Sequence, residues 1–453
     1  RIRKRRVYGP ALKDRKMMKK TKVFRISLLM FALLFLLCSC NSGKFSDLKK
    51  ESDPLVLPVL RIETEEGKEV ADRENYLPMT LSVSGSANGT YDLPALGGGI
   101  RGRGNSTWDF CEKKSYKLKL NLKVNLLGTG TGGEKDWALI SNAREKSMLR
   151  NYSMFLLAKK MGISPVTGCN FVEVYLNGDY IGVYLLCETP EAAENRLDLG
   201  EESGETEVGY LLELDKRAKA ESQHSYEYFY VNDWAVPFAV KSHIENKAQN
   251  AYIKSYVERA DDAILSGERS RVEELVELSS LVDMYILEEF SKDRDVGFAS
   301  FYVYKKAGER LQFGYPWDFD LALGNDTGED RANEENAPDI NYPDPEGVMA
   351  SVLNRWFSAL WQTEWFRKEV ADRWAEVEPL VDETLKEVGI LGFSLEEAAE
   401  RNYERWDILG KKQLFEPWKV YRMGDYDDQV EYLLEWMDHR KIWLGAYFQK
   451  SVC

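Results

Sequence analysis

The sequence predicts an α+β protein, β-rich in its N-terminal part and helical in its C-terminal part. Three observations carry this prediction. Residues 115–122 (SYKLKLNL) alternate polar and apolar side chains at the period of a strand. Two apolar runs, 171–176 and 180–186, flank Asn177-Gly178-Asp179, and Asn-Gly supplies the positive φ that a tight hairpin needs. From about residue 348 to the end, apolar positions rich in tryptophan recur at helical spacing.

The first elements in order concern targeting. The chain has 453 residues and a formal net charge of -14. Residues 1–40 hold 12 Lys/Arg and a single acid, Asp14, so the remaining 413 carry 49 basic and 74 acidic groups, a net of -25. Met17 and Met18 precede Lys19, Lys20, Lys22 and Arg25, then an apolar run over 26–37. Twelve residues are too few to span a bilayer and suit the core of a signal peptide. The run ends in Leu37-Cys38-Ser39-Cys40, which resembles a bacterial lipobox, with Cys40 as the lipidated first residue of the mature protein. An uncleaved anchor is the alternative. Residues 1–16 read as upstream over-extension, 17–40 as a lipoprotein signal peptide and 41–57 as a tether. The expected location is therefore the bacterial cell envelope, with membrane contact through the lipid anchor only.

Strands are expected at 57–62, 79–84, 115–122, 171–176, 180–186, 210–214 and 236–240. Glycine-rich segments occupy 97–108 and 128–133. A helix is expected over 146–161 and a mainly helical region over 245–290. The runs 301–304 and 310–313 bracket a turn at Ala307-Gly308, and 326–345 is an acidic, proline-bearing loop. The division is a β-rich N-lobe, 58–245, and a helix-rich C-lobe, 246–453.

Composition excludes several functions. A body at -25 is a poor partner for nucleic acid, which needs clustered cations. The three histidines, His224, His243 and His439, form no zinc-hydrolase motif. The cysteines Cys111, Cys169, Cys187 and Cys453 are scattered without a C-x-x-C pair. Chemistry therefore falls to carboxylates and lysines. Trp356, Trp361, Trp365, Trp374 and Trp406 sit among apolar residues at helical spacing, which favours core packing over a sugar platform.

The sharpest cluster is 292–295 (KDRD), then 300–304 (SFYVY), then 316–320 (PWDFD). Asp295 and Asp318 lie 23 residues apart around a predicted hairpin. Phosphoryl transfer from ATP needs such a pair, one carboxylate for the acceptor hydroxyl and one for Mg²⁺. Asp295 to Ser300 reads Asp-x-x-x-x-Ser, a variant of the kinase Asp-x-x-x-x-Asn loop. The other pieces are 100–108 (IRGRGNSTW), 113–119 (KKSYKLK), 135–140 (KDWALI), 149–151 (LRN), 180–188 (YIGVYLLCE), 210–213 (YLLE) and Gly324-Asn325.

In this order and spacing the chain, from about 58 to 450, resembles the spore-coat protein H (CotH) family of atypical secreted kinases. The resemblance implies a two-lobed, atypical protein-kinase-like fold whose N-lobe binds nucleotide. Asp295 would orient or deprotonate the acceptor. Asp318 would bind the metal, with Ser300 where kinases place asparagine, and Asp320 as a helper ligand or a structural cap. The glycine-rich stretch would cover phosphates, Gly104 within it, with Arg101 and Arg103 adding positive charge; a hairpin needing positive φ is the plain alternative. Lys117 or Lys119, on one face of the lysine strand, would contact phosphate, against an acid partner at Glu188 or Glu213. The implied cofactors are ATP and Mg²⁺, and the implied acceptor is a Ser/Thr-bearing protein; the acidic body at -25 suits a basic one. A non-catalytic cell-surface scaffold or glycan-binding lipoprotein is the alternative function, and a glycosidase lacks a recognisable Glu pair.

Overall fold

The computed structural model describes residues 45–130, 132–202, 204–330 and 340–452. Cys40 and the expected export segment lie outside the described residues. The short helix Ser46–Glu51 belongs to a unit separate from 52–453. Among the described residues no helix is long and apolar enough to cross a membrane.

Seven strands close into a barrel: β1 (Val59–Thr64), β2 (Leu77–Ser84), β3 (Leu93–Arg103), β4 (Ser115–Val124), β5 (Glu134–Ile140), β6 (Cys169–Leu176) and β7 (Asp179–Glu188). Their order is β1-β2-β3-β4-β5-β7-β6, and a parallel pairing of β1 with β6 closes the ring. Strand alternation decides what fills it. Leu118 and Leu120 point inward to meet Ile100, Trp137, Leu139 and Tyr184, so Lys117 and Lys119 face outward. Closure adds to the β-rich N-lobe expected from the sequence, which specified no sheet topology.

The first glycine-rich stretch corrects the reading of a phosphate-covering loop. Residues 97–103 are the second half of β3, with 97–100 paired to β2 and 98–103 to β4, so this stretch is strand rather than loop. Glycine is needed at Gly98 because a Cβ there would lie 2.7 Å from the Lys119 carbonyl oxygen on β4. Only at Gly104, with φ of +80°, does the chain turn off the barrel rim into the short helix α1 (Ser106–Phe110).

The second sheet is antiparallel. It comprises β8 (Tyr210–Leu214), β9 (Tyr228–Phe229), β10 (Phe238–Val240), β11 (Phe301–Lys305) and β12 (Leu311–Phe313), in the order β12-β11-β8-β10-β9. It draws strands from both sides of residue 245. The principal helices are α2 (Arg150–Met161), α3 (Lys247–Ser266), α4 (Leu278–Ser291), α5 (Glu364–Ser394), α6 (Glu396–Arg405) and α7 (Tyr426–Ser451). Asn246 caps α3 by accepting from the Ala248 and Gln249 N–H groups, and left-handed Gly267 ends it. Tyr285 on α4 stands 5.3 Å from the rings of Phe357, Trp361 and Phe366. Trp356 and Trp374 are buried, so these tryptophans serve packing.

Helix α2 begins at Arg150, four residues later than the periodicity over 146–161 suggests. Residues 141–149 are irregular yet wholly buried, charged groups included. Ion pairs make that possible, since a buried charge must be matched. Lys146 meets Glu416 at 2.8 Å, and Arg150 meets Glu145.

Candidate functional site

Helix α4 stops where Lys292 takes left-handed geometry (φ 48°, ψ 49°). The following turn is closed by the Phe298 and Ala299 N–H groups, which donate to the Asp295 carbonyl. The hairpin of β11 and β12 then folds the chain back on itself. It brings Ser300 beside Asp318, whose Oδ2 accepts from the Ser300 Oγ at 3.4 Å. Sequence separation is thus cancelled by a local hairpin.

Asp318 is exposed and left-handed (φ 71°, ψ 51°), a conformation that short polar Asp tolerates better than most residues. Two contacts hold the turn after it. The Phe319 N–H donates to Asn151 Oδ1 at 2.8 Å, and Asn325 Nδ2 donates to the Asp320 carbonyl at 2.7 Å. Trp317 stacks on Phe155 of α2 at 5.8 Å, and the Arg103 guanidinium lies 5.1 Å from the Trp317 ring. Asn151 and Asn325 come from the LRN and Gly-Asn segments, so both carry a positioning role.

These groups border a cavity of about 260 Å³. Asp295, Ser300, Asp318 and Asp320 line it from one side, Arg103, Gly104, Ser115 and Ser141 from the barrel rim, and Glu213, Asp215, Arg217 and Lys241 from the second sheet and the turn after β8. Lys241 Nζ is 3.0 Å from Glu213 Oε2, and the Glu213 charge raises the Lys241 pKa. The Arg217 Nε is 3.4 Å from Asp215 and 3.3 Å from Glu221.

The acids are crowded. Burial pushes Asp293 well above the usual carboxylate range, with the charges of Glu288, Asp295 and Asp318 adding to it. Burial beside Asp295 lifts Glu288 to about 8. Asp320 is raised to about 7 by withdrawal from water and by Asp318, against the opposing charge of Arg144. Such a site favours a cation. Its oxygen-only donors, Asp318, Asp320 and Ser300, suit a hard ion such as Mg²⁺, for which phosphates usually complete the shell around one or two carboxylates. Among the described residues no three or more His, Cys, Asp or Glu gather as a ready-made metal group.

Of the residues singled out from sequence, the cavity brings together Asp295, Ser300, Asp318, Asp320, Arg103, Gly104 and Glu213. Four lie elsewhere. Arg101 faces outward, donating to the Arg73 carbonyl with Tyr76 5.2 Å from its guanidinium. Arg103 pairs with Ser115 at the rim, so Lys117 is about 7 Å and Lys119 about 13 Å further along β4. Lys117 is bound to Asp136 at 2.9 Å, and Lys119 borders a separate groove with Tyr76 and Lys135. Lys241 is a cavity-lining lysine that sequence reasoning did not single out. It follows a three-residue strand and meets Glu213 only through sheet pairing, which leaves no local signal.

Glu188 is taken up in a buried pair with Arg196 at 2.6 Å, against Trp137 and beneath Gly130. Glu188→Gln leaves the buried Arg196 charge with only the Glu191 carboxylate, 3.7 Å away, and is expected to lower stability by about 1–3 kcal/mol, measured by denaturant unfolding. Nearby Glu191 is raised to about 7 by burial and by Asp136. Its contribution to stability is complete below pH 4.5 and is lost as pH rises through about 7. Glu191→Gln should therefore melt at a higher temperature than wild type above that pH, with the difference vanishing in acid.

A family model described as CotH kinase protein matches residues 100–444, well over half of the chain. No curated protein matches it.

Proposed function

The chain belongs to the CotH kinase family, and from that premise we propose that it is an exported, lipid-anchored kinase that transfers the ATP γ-phosphoryl group to Ser or Thr of a protein. The family implies a kinase-type enzyme using ATP and a divalent metal. The finer reading rests chiefly on one observation: Asp295, Ser300 and Asp318 border the same cavity as the Lys241–Glu213 pair.

In this reading nucleotide phosphates enter between the barrel rim and the second sheet, whose strands come from both sides of the 245 boundary drawn from the sequence. Lys241, oriented by Glu213, neutralises phosphate charge, and Arg103 adds a second cation. Asp295 accepts the proton of the acceptor hydroxyl as its oxygen attacks phosphorus and the ADP oxygen leaves. Asp318, Ser300 and Asp320 would hold Mg²⁺, which when bound neutralises the phosphate oxygens and orients them. Most side chains bordering the cavity are acidic or polar, which supports a role for that ion. A mature body at -25 favours a basic acceptor protein. Lipidation at Cys40 and an envelope location belong to the same proposal and are tested by metabolic labelling with a fatty acid, lost in Cys40→Ala.

Lys241→Met should weaken ATP–Mg²⁺ binding by about 10- to 100-fold in calorimetric titration, the size of a lost charge-assisted hydrogen bond. Lys117→Met should leave it within about threefold of wild type, below about 0.7 kcal/mol. The reverse order would overturn the assignment of the phosphate-binding lysine.

A further inference from the structure

Two cations flank the buried Asp293 just ahead of Asp295, and each grips one end of the acidic loop that follows Asp320. Arg294 donates to Asp326 at 3.0 Å and to both oxygens of Asp330 at 2.7 Å. Its side chain and that of Asp326 are buried, at 5% and 3% exposure, while Asp330 reaches the surface at 39%. Asp326 also accepts from the Gly328 N–H at 3.1 Å, which stiffens the near end of the loop. Lys292 Nζ donates to the carbonyls of Asn341, Asp344 and Glu346, each at 2.8 Å, fixing the far end. The Arg294 Nε stands 3.9 Å from Asp295 Oδ1, so the same guanidinium adjoins the proposed catalytic carboxylate.

The charge arithmetic is specific. Loops next to kinase sites are commonly ordered when a phosphorylated residue supplies an arginine with a dianion and several acceptor oxygens. Here two carboxylates from the chain itself bring a charge of -2 and three acceptor oxygens within hydrogen-bond distance of one guanidinium. The two terminal nitrogens of the guanidinium are shared between the carboxylates, Nη1 meeting Asp326 and Nη2 both oxygens of Asp330, as they would be shared among the oxygens of one phosphate.

We propose that the Asp326–Asp330 pair stands in for a phosphorylated loop residue, making Arg294 a positioning residue that holds the Asp295 turn and the loop in working register without any modification of the loop. This rests on the kinase reading given above. It assigns the site a mode of regulation: the enzyme is switched on by folding.

The test uses the full chain carrying Asp330→Asn, Asp330→Glu, Arg294→Lys, or Arg294→Lys with Asp330→Asn. Asp330→Asn and Arg294→Lys should each lower kcat about tenfold or more, with KM for ATP and the ATP–Mg²⁺ thermal shift kept. Asp330→Glu should restore most of the rate, and the double variant should be no slower than Arg294→Lys alone, because both remove one interaction. Phosphatase treatment of the wild type should leave kcat unchanged. Wild-type kcat in Asp330→Asn, additive losses in the double variant, or phosphatase sensitivity would each overturn the proposal.

Amide hydrogen exchange over 326–330 separates this inference from the kinase reading. Faster exchange in Asp330→Asn supports the staple even if the wild type transfers no phosphate, an outcome that would sink the kinase reading alone. Unchanged exchange overturns the staple whatever the activity.

Discussion

Asp295→Asn should lower kcat for phosphoryl transfer by about 10²- to 10⁴-fold while ATP–Mg²⁺ binding persists, the range for losing a positioned general base. The substitution keeps the size and hydrogen-bonding outline of the side chain, and the turn is closed by the Asp295 carbonyl rather than by its carboxylate. A lost rate with a normal melting temperature would therefore report chemistry and not folding. A merely structural Asp295 would give the opposite pattern, a lowered melting temperature with kcat per folded molecule preserved. The neighbouring acids sharpen the expectation. Glu288 and Asp293 are raised by burial and by the charge of Asp295, so removing that charge should make both easier to ionise.

The second large effect is at Asp318. Asparagine is the informative replacement, because it tolerates the left-handed backbone (φ 71°) and removes only the charge. Asp318→Asn should abolish the Mg²⁺-dependent part of ATP binding and cost several kcal/mol of transition-state stabilisation, about 10³-fold in kcat. Asp318→Ala should add backbone strain of about 1–2 kcal/mol to the same catalytic loss, visible as a lower melting temperature. If Asp318→Asn binds ATP with undiminished Mg²⁺ dependence, the metal is held elsewhere and the cavity has been misread.

How much of this was legible depends on the range of each interaction. The approach of Ser300 to Asp318 needs only one hairpin, and hairpins advertise themselves by alternating apolar runs about a glycine turn. The outward facing of Lys117 and Lys119 follows from the same alternation. Which end of the strand borders the cavity does not, because that depends on the register of Arg103 against Ser115. Barrel closure rests on a parallel pairing of Val59 with Glu173, across more than a hundred residues that contain no local sign of it. The Lys241–Glu213 pair likewise forms across neighbouring strands of the second sheet.

The buried charged segment 141–150 was the least legible part, since charge normally signals solvent. Its partners are distant: Lys146 meets Glu416 across 270 positions of sequence. The family-like pieces were recognisable without their reasons. Within 149–151, Arg150 completes a buried pair with Glu145, and Asn151 holds the turn after Asp318. The glycines of 97–103 are required by close packing, Gly98 against the β4 backbone, Gly99 against Tyr76 and Gly102 against the Trp108 ring, so the glycine pattern has a packing reason of its own.

The most direct test of the central claim is transfer of labelled γ-phosphate from ATP, with Mg²⁺, to a basic Ser/Thr-bearing protein by the full chain and by Asp295→Asn. The account predicts stable phosphoester label on the acceptor with wild type and almost none with the variant, both proteins binding ATP equally. Equal labelling by the two, or no labelling by a wild type that binds ATP–Mg²⁺, would contradict it.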